Sequence, residues 1–349
     1  MKAVRWILGA TLVVFGLSAC GSSGDGPTSR SRKDKVTDLR MGYFPNVTHA
    51  PAVYGVESGS FARKLGSAVS LSTQTFTAGP AAVEALFSES IDAAFVGPNP
   101  AINAYTKSGG DAIRVVAGVA SGGAFLVVKP SIKSSADLKG KKIASPQLSG
   151  TQDVALRWYL RGHGYATDSS GGGDVSVVPQ ENSQTIDTFK SGDIDGAWVP
   201  EPWATRLVNE AGARILVDER NEWPNKTFAT TVLMVSTKFL KEHPDAVKSL
   251  VEATADAIDA ISADPVVTGK VVGAGIKRIT SKAIEDSLVQ SSFKSIIFTL
   301  DPIASSLVAV AEHSVVLGLS KNADLDGIFD LAIVNGVLKA RGRAEVSGR

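Results

Sequence analysis

Ser90-Ile91-Asp92-Ala93-Ala94-Phe95-Val96-Gly97-Pro98-Asn99-Pro100 decides the fold, because a second version of it follows later in the chain: Asp193-Ile194-Asp195-Gly196-Ala197-Trp198-Val199-Pro200-Glu201-Pro202. Each is an Ile-Asp pair, then small and apolar residues, then Pro-x-Pro. The apolar run reads as a strand buried on both faces. Proline suits the first turn of a helix, where its missing N–H costs nothing. Two such strand–helix units predict two similar α/β lobes.

The same rhythm continues on either side. Around the first unit, strands are expected at 39–43 and 69–76, and helices at 50–57, 80–88 and 100–107. Around the second, strands are expected at 142–144 and 175–178, and helices at 151–161, 183–190 and 202–211. Strand–helix alternation implies a parallel sheet covered on both faces. The continuous apolar runs 124–128 (AFLVV) and 231–236 (TVLMVS) read as crossover strands between the lobes. Beyond Phe239 the pattern turns amphipathic and helical, and these helices are expected to pack back on the first lobe. The expected division is lobe 1 at 38–126 plus 232–349, and lobe 2 at 127–231.

The first residues read as an address. Lys2 and Arg5 precede an apolar run at 7–17 (ILGATLVVFGL). That is too short for a membrane span, which needs roughly 20 apolar residues, and it has the form of an export signal. It ends in Leu17-Ser18-Ala19-Cys20, which resembles the bacterial lipobox. Residues 1–19 are expected to be a lipoprotein signal peptide. Cys20 is expected to carry the lipid, and 20–37 to form a flexible tether too polar to order itself. Cys20 is the single cysteine of 349 residues, so an intramolecular disulfide and a thiolate metal cluster are both excluded.

The formal net charge of +1 leaves no basic footprint for nucleic acid. The four histidines, His49, His163, His243 and His313, have no metal-site spacing, and no cofactor fingerprint or nucleophile elbow occurs. Asp168 to Asp174 (DSSGGGD) lacks the spacing and terminal Glu of a calcium loop and reads as a surface turn.

In open parallel sheets, ligands bind at the carboxyl ends of the strands. The segments placed there contain Asn46, Thr48 and His49; Ala78 and Gly79; Gly97 and Asn99; Gly150, Thr151 and Gln152; and Glu201 and Trp203. Ser121 and Gly122 sit near the crossover. Most of these loops are small, amide- or hydroxyl-bearing, and without Lys or Arg. Such loops can hold an oxyanion by backbone N–H groups and helix dipoles. Equally, Ser, Thr and Asn are ordinary helix caps. Glu201 stands out as a carboxylate in an uncharged set, suited either to a hydrogen bond from a ligand or to capping its own helix.

Several of these stretches, in order, carry a family resemblance: Gly42-Tyr43-Phe44-Pro45-Asn46-Val47-Thr48-His49-Ala50-Pro51, Ala78-Gly79-Pro80-Ala81, Val96-Gly97-Pro98-Asn99-Pro100-Ala101, Asp137-Leu138-Lys139-Gly140-Lys141-Lys142-Ile143-Ala144 and Ile194-Asp195-Gly196-Ala197-Trp198-Val199-Pro200-Glu201-Pro202-Trp203. From Leu39 to about Phe239 the chain resembles the substrate-binding proteins of ABC importers for aliphatic sulfonates, taurine and nitrate, within a superfamily that includes thiamine-pyrimidine-precursor proteins. The resemblance implies a two-lobed type II periplasmic-binding-protein fold with two crossover strands and C-terminal helices. It implies a monomeric, cofactor-free receptor that closes on a small anionic solute, foremost an aliphatic sulfonate, outside the cytoplasmic membrane. The partners are then ABC permease subunits and, through Cys20, the membrane. Nitrate, taurine, an aromatic carboxylate or a pyrimidine remain as alternative solutes. A pyrimidine-synthase-like enzyme and a lipoprotein that only docks to other proteins are further alternatives.

Overall fold

The computed structural model describes residues 36–349. The expected signal peptide, lipidated Cys20 and nearly all of the tether lie outside the described residues. The tether was expected to reach residue 37, but Thr37 already opens the first strand: its amide donates to the Ala68 carbonyl at 2.9 Å and it pairs with Val69.

Among the described residues, eleven strands form two sheets. In chain order they are β1 (Thr37–Tyr43), β2 (Val69–Thr75), β3 (Ala93–Val96), β4 (Ile113–Gly122), β5 (Ala124–Val128), β6 (Lys142–Ser145), β7 (Ser176–Pro179), β8 (Gly196–Pro200), β9 (Arg214–Asp218), β10 (Ala229–Ser236) and β11 (Ile296–Phe298). The first sheet has the order β11-β4-β10-β3-β1-β2, the second β7-β6-β8-β5-β9. β1, β2 and β3 run parallel, as do β6, β7 and β8, in line with their helical crossovers. The sheets are mixed rather than all-parallel: β10 runs antiparallel to β3 and β4, and β5 antiparallel to β8 and β9.

The helices are α1 (Ala50–Glu57), α2 (Ser60–Leu65), α3 (Gly79–Phe87), α4 (Pro98–Lys107), α5 (Thr151–Gly162), α6 (Asn182–Ser191), α7 (Trp203–Ala211), α8 (Thr237–Glu242), α9 (Pro244–Ala263), α10 (Pro265–Thr280), α11 (Asp286–Phe293), α12 (Ala304–Val316) and α13 (Ala332–Ala340). They cover both faces of each sheet. One face of the first sheet packs Leu39 and Phe95 against Phe61 of α2, Val251 and Ile258 of α9, Ile276 of α10 and Val337 of α13. The other packs Val96 and Val232 against Ile102 of α4 and Leu307 of α12. Each of the large apolar side chains fully buried in this way contributes about 1.5–3 kcal/mol. The second sheet is enclosed by α6 and α7 on one side and α5 on the other. The C-terminal helices thus pack mainly on the first lobe, as expected. None of the described helices is long and apolar enough to cross a membrane.

The runs expected to cross between lobes each lie wholly within one sheet, β5 in the second and β10 in the first. The boundaries expected at 126/127 and 231/232 fall inside those strands. The chain crosses at Gly122–Gly123 and again in the segment between Asp218 and Ala229. The reason is local geometry. Gly122 and Gly123 have φ +79° and +71°, a left-handed pair that turns the chain abruptly between β4 and β5. β4 itself was not read from the sequence, because Gly118, Ala120 and Ser121 dilute its apolar run.

Gly118 ties the C-terminal arm to the first sheet. Its amide donates to the Leu300 carbonyl at 2.8 Å, and a Cβ placed there would lie 2.0 Å from the Asp301 carbonyl oxygen. Backbone cannot yield as a flexible side chain can. Gly118→Ala is therefore expected to cost about 1–3 kcal/mol, read as a lower denaturation midpoint at unchanged m-value; an unshifted midpoint would show that the arm adjusts freely.

Candidate ligand cleft

The cleft forms where the two lobes face each other, at the carboxyl ends of parallel strands. It encloses about 420 Å³, its open mouth included. The first lobe contributes Phe44, Asn46, Thr48 and His49 after β1, Thr77, Ala78 and Gly79 after β2, and Gly97 and Pro100 after β3. The second contributes Pro146, Gln147, Gly150, Thr151 and Gln152 around the start of α5, Asn182 at the start of α6, and Pro200 at the end of β8. Thr230 of β10 completes the wall.

Helices α3, α4, α5 and α6 all open on this space. Their N-cap residues, Ala78, Gly97, Gly150 and Glu181, make no side-chain capping hydrogen bond. The loops are therefore not self-capping, and the positive ends of the four helices face the cleft. Prolines remove some amides from α3 and α4, whereas Thr151-Gln152-Asp153 and Asn182-Ser183-Gln184 retain theirs. Among the described residues, no Lys or Arg lines the cleft. Thr151 Oγ1 and Asn182 Oδ1 are buried without a hydrogen-bond partner. Such orphaned polar atoms are costly unless a ligand satisfies them.

His49 is fully buried, and burial pushes its pKa down to about 3. Its ring stacks on Phe44 with centroids 4.5 Å apart, and Nδ1 accepts from the Phe44 amide at 3.4 Å. A neutral imidazole that accepts at Nδ1 carries its proton on Nε2, so His49 is an uncharged donor across the working pH range. No group of three or more His, Cys, Asp or Glu suited to a metal occurs among the described residues.

A buried ion pair positions the α5 loop. Asp153, with no exposed side-chain surface, accepts from Arg157 Nε at 3.0 Å, Ser145 Oγ at 2.7 Å and the Ser149 amide at 3.0 Å. Direct bonds also span the lobes. Asn99 Nδ2 donates to the Ser149 carbonyl at 2.7 Å, the Val47 amide to the Glu201 carbonyl at 3.0 Å, and Trp203 Nε1 to Asn46 Oδ1 at 2.8 Å. The lobes are closed on each other.

Nine of the expected residues line the cleft: Asn46, Thr48, His49, Ala78, Gly79, Gly97, Gly150, Thr151 and Gln152. Five do not. Glu201 turns to its own helix, where its carboxylate accepts from the Thr205 amide at 3.1 Å and hydroxyl at 2.6 Å; burial raises its pKa while those bonds oppose the rise. Trp203 is spent on Asn46. Asn99 is wholly buried, between Ser149 and Ser314, whose Oγ donates to Asn99 Oδ1 at 2.7 Å. Ser121 and Gly122 serve the crossing: Ser121 Oγ accepts from the Phe228 amide at 3.4 Å, and the Gly122 carbonyl from Thr230 Oγ1 at 2.5 Å. Phe44, Pro146, Gln147 and Thr230 were missed. Thr230 lies within an apolar strand, where nothing local marks it. Asn182 heads a loop that the helix-start pattern does single out.

Two α/β lobes with antiparallel return strands and a closed interlobe cleft define a type II periplasmic binding protein. Solved structures agree on the fold. The alkanesulfonate-binding protein of Xanthomonas axonopodis pv. citri, bound to MOPS, superimposes with a TM-score of 0.69 at 19% identity, over 85% of this chain and 99% of that one. The nitrate-binding protein of Synechocystis PCC 6803 does so with a TM-score of 0.66 at 17% identity, over 84% of each chain. A model of the NMT1-like family matches residues 32–271, and the chain belongs to that family. The taurine-binding periplasmic protein of Escherichia coli (strain K12) is 29% identical over 217 residues, 62% of this chain and 64% of that protein. A protein of Brucella abortus (strain 2308), named only as a binding protein, is 30% identical over 195 residues, 55% of this chain and 58% of that one. The chain thus spans somewhat under two thirds of the length of these curated relatives. They are binding proteins rather than enzymes.

Two tests follow from this geometry. A Cβ at Gly97 would lie 2.2 Å from Thr151 Oγ1 across the cleft. Gly97→Ala should prop the lobes apart and increase the radius of gyration in small-angle scattering; an equally compact variant would show that the two residues need not approach. The second test concerns pH. In the unfolded chain His49 takes up a proton near 6.5, but in the folded protein only near 3. Its contribution is full above pH 6.5 and is lost as pH falls through the window between those values. Over pH 6.5 to 4 the wild type should lose stability relative to His49→Gln by at most about 1.4 kcal/mol per pH unit. Glu201 works in the opposite direction but is common to both proteins. Parallel profiles would mean that His49 titrates in the fold as it does in the unfolded chain.

Proposed function

We propose that the protein is an extracytoplasmic, lipid-anchored solute receptor of an ABC importer, and that its solute is a small oxyanion, foremost an aliphatic sulfonate. The observation that carries this reading is the convergence of four helix N-termini without side-chain caps on a cleft that has no Lys or Arg and leaves Thr151 Oγ1 buried without a partner. A sulfonate presents three oxygens to such a donor set and needs no counter-charge from it. Both lobes line the space, so one solute touches both. A ligand with that differential contact selects the closed form, which the permease subunits would then recognise. Family membership and the binding-protein relatives agree with this class. Cys20 would hold the receptor at the outer face of the cytoplasmic membrane, with 20–37 as its tether.

One observation favours an amine-bearing sulfonate, with taurine as the simplest. The free Asn182 Oδ1 is an acceptor, and an ammonium group would satisfy it while Thr151 donates to the sulfonate.

Thermal shift of the purified protein against alkanesulfonates, taurine, nitrate, sulfate, aromatic carboxylates and pyrimidines decides between these. A true solute at about 100 times its dissociation constant should add roughly 2.7 kcal/mol of stability, and Thr151→Val should abolish most of that gain. Asn182→Leu should reduce the taurine response more than the ethanesulfonate response. Shifts with pyrimidines or aromatic acids alone would overturn the oxyanion assignment. For the anchor, Cys20→Ser should release the protein from the membrane fraction and abolish acyl labelling; a variant still acylated would refute attachment there.

A further inference from the structure

A second cavity adjoins the cleft and shares Thr151 with it. It encloses about 480 Å³, its mouth included. Its wall runs along α5 through Val154, Ala155 and Trp158, and closes with Trp198 of β8, the segment after β9, Phe228 before β10 and His313 of α12. Both lobes contribute, as they do to the cleft.

The chemistry is opposite to that of the cleft. The wall is aromatic: Trp158 stacks on His313 with centroids 3.7 Å apart, Trp223 on Phe228 at 5.6 Å, and Tyr159 leans on Trp198 at 5.5 Å. Among the described residues its charged groups are acids, Glu219 and Glu222, with no Lys or Arg. Glu219 is 2% exposed. It accepts from Trp198 Nε1 at 2.6 Å and from Trp223 Nε1 at 3.4 Å, and no ion pair among the described residues compensates it. Burying a carboxylate without a cation is costly, and burial pushes the Glu219 pKa up to about 7. His313 does not supply the cation, because burial lowers its pKa to about 4. The missing partner is a positive charge, and the surrounding ring faces are the surfaces on which an organic cation is held.

We propose that this cavity is a second ligand site, selective for an aromatic or planar organic cation whose nitrogen is received by Glu219 and Glu222 and whose ring lies against the tryptophans. The site goes beyond the oxyanion reading and does not depend on it, since the two spaces select opposite charges.

The test titrates the full chain, by tryptophan fluorescence and calorimetry, with 2-phenylethylammonium, with the neutral 2-phenylethanol and with methanesulfonate. The cation should bind and the alcohol should bind at least about tenfold more weakly, as expected for a lost charge-assisted hydrogen bond. Glu219→Gln should weaken the cation about tenfold or more. Trp158→Ala, at a position 37% exposed, should weaken it about threefold or more, with the melting curve of the variant read alongside. Methanesulfonate affinity should be the same in Glu219→Gln as in the wild type. The proposal is overturned if the cation does not bind at millimolar concentration, if both variants bind it as the wild type does, or if the alcohol binds as tightly. Failure of methanesulfonate to bind would count against the oxyanion reading and would leave the cation result to stand or fall alone.

Discussion

The two places where the chain passes between lobes are joined to each other. Thr230 Oγ1 donates to the Gly122 carbonyl, and the strands on either side of that bond, β4 and β10, are paired along their length. Gly122 and Gly123 permit the turn, and neither could be enlarged: a Cβ at Gly122 would lie 2.6 Å from the Ser295 carbonyl oxygen, and one at Gly123 2.4 Å from Ile296 Cγ1. With both crossings held at one point, the lobes can part only about that point. The cleft lies on the side where β2, β3, β6 and β7 release helices α3 to α6.

Once the lobes are closed, the electrostatics are set by what is absent. The cleft has donors but no cation. Its histidine is held neutral by burial, and its helices are left uncapped toward the cleft. The neighbouring aromatic cavity has acids but no cation. The Asp153–Arg157 pair, buried beside the cleft, lines neither space; it pins Ser149 and so fixes the start of α5. Rigidity is supplied beside the cleft, leaving the donors within it unspent.

The repeated Ile-Asp strand and Pro-x-Pro helix were enough to read two α/β lobes, because burial on both faces and the proline position are local signals. The same signals located most of the cleft, since a helix start after a parallel strand is visible in sequence. They did not show that Glu201, Trp203, Asn99, Ser121 and Gly122 lie outside the cleft lining: the first three sit in the expected segments and the last two end β4, and in each a hydrogen-bonding group is taken by a neighbour. For Glu201 that neighbour is in its own helix. For Trp203 and Asn99 it comes from the opposite lobe, and for Gly122 from a strand more than a hundred residues away.

The sequence by itself therefore determined the order of elements, the uncharged character of the cleft loops and the presence of the Thr151 and His49 donors, all of which depend on residue type and short-range periodicity. Tertiary structure alone decided which polar atoms remain free, where the chain crosses, that β5 and β10 run antiparallel, and that tryptophans from separate elements meet around Glu219. The physical reason is that hydrogen-bond satisfaction and burial are properties of the folded neighbourhood. A side chain is available to a ligand only when no part of the fold has claimed it first.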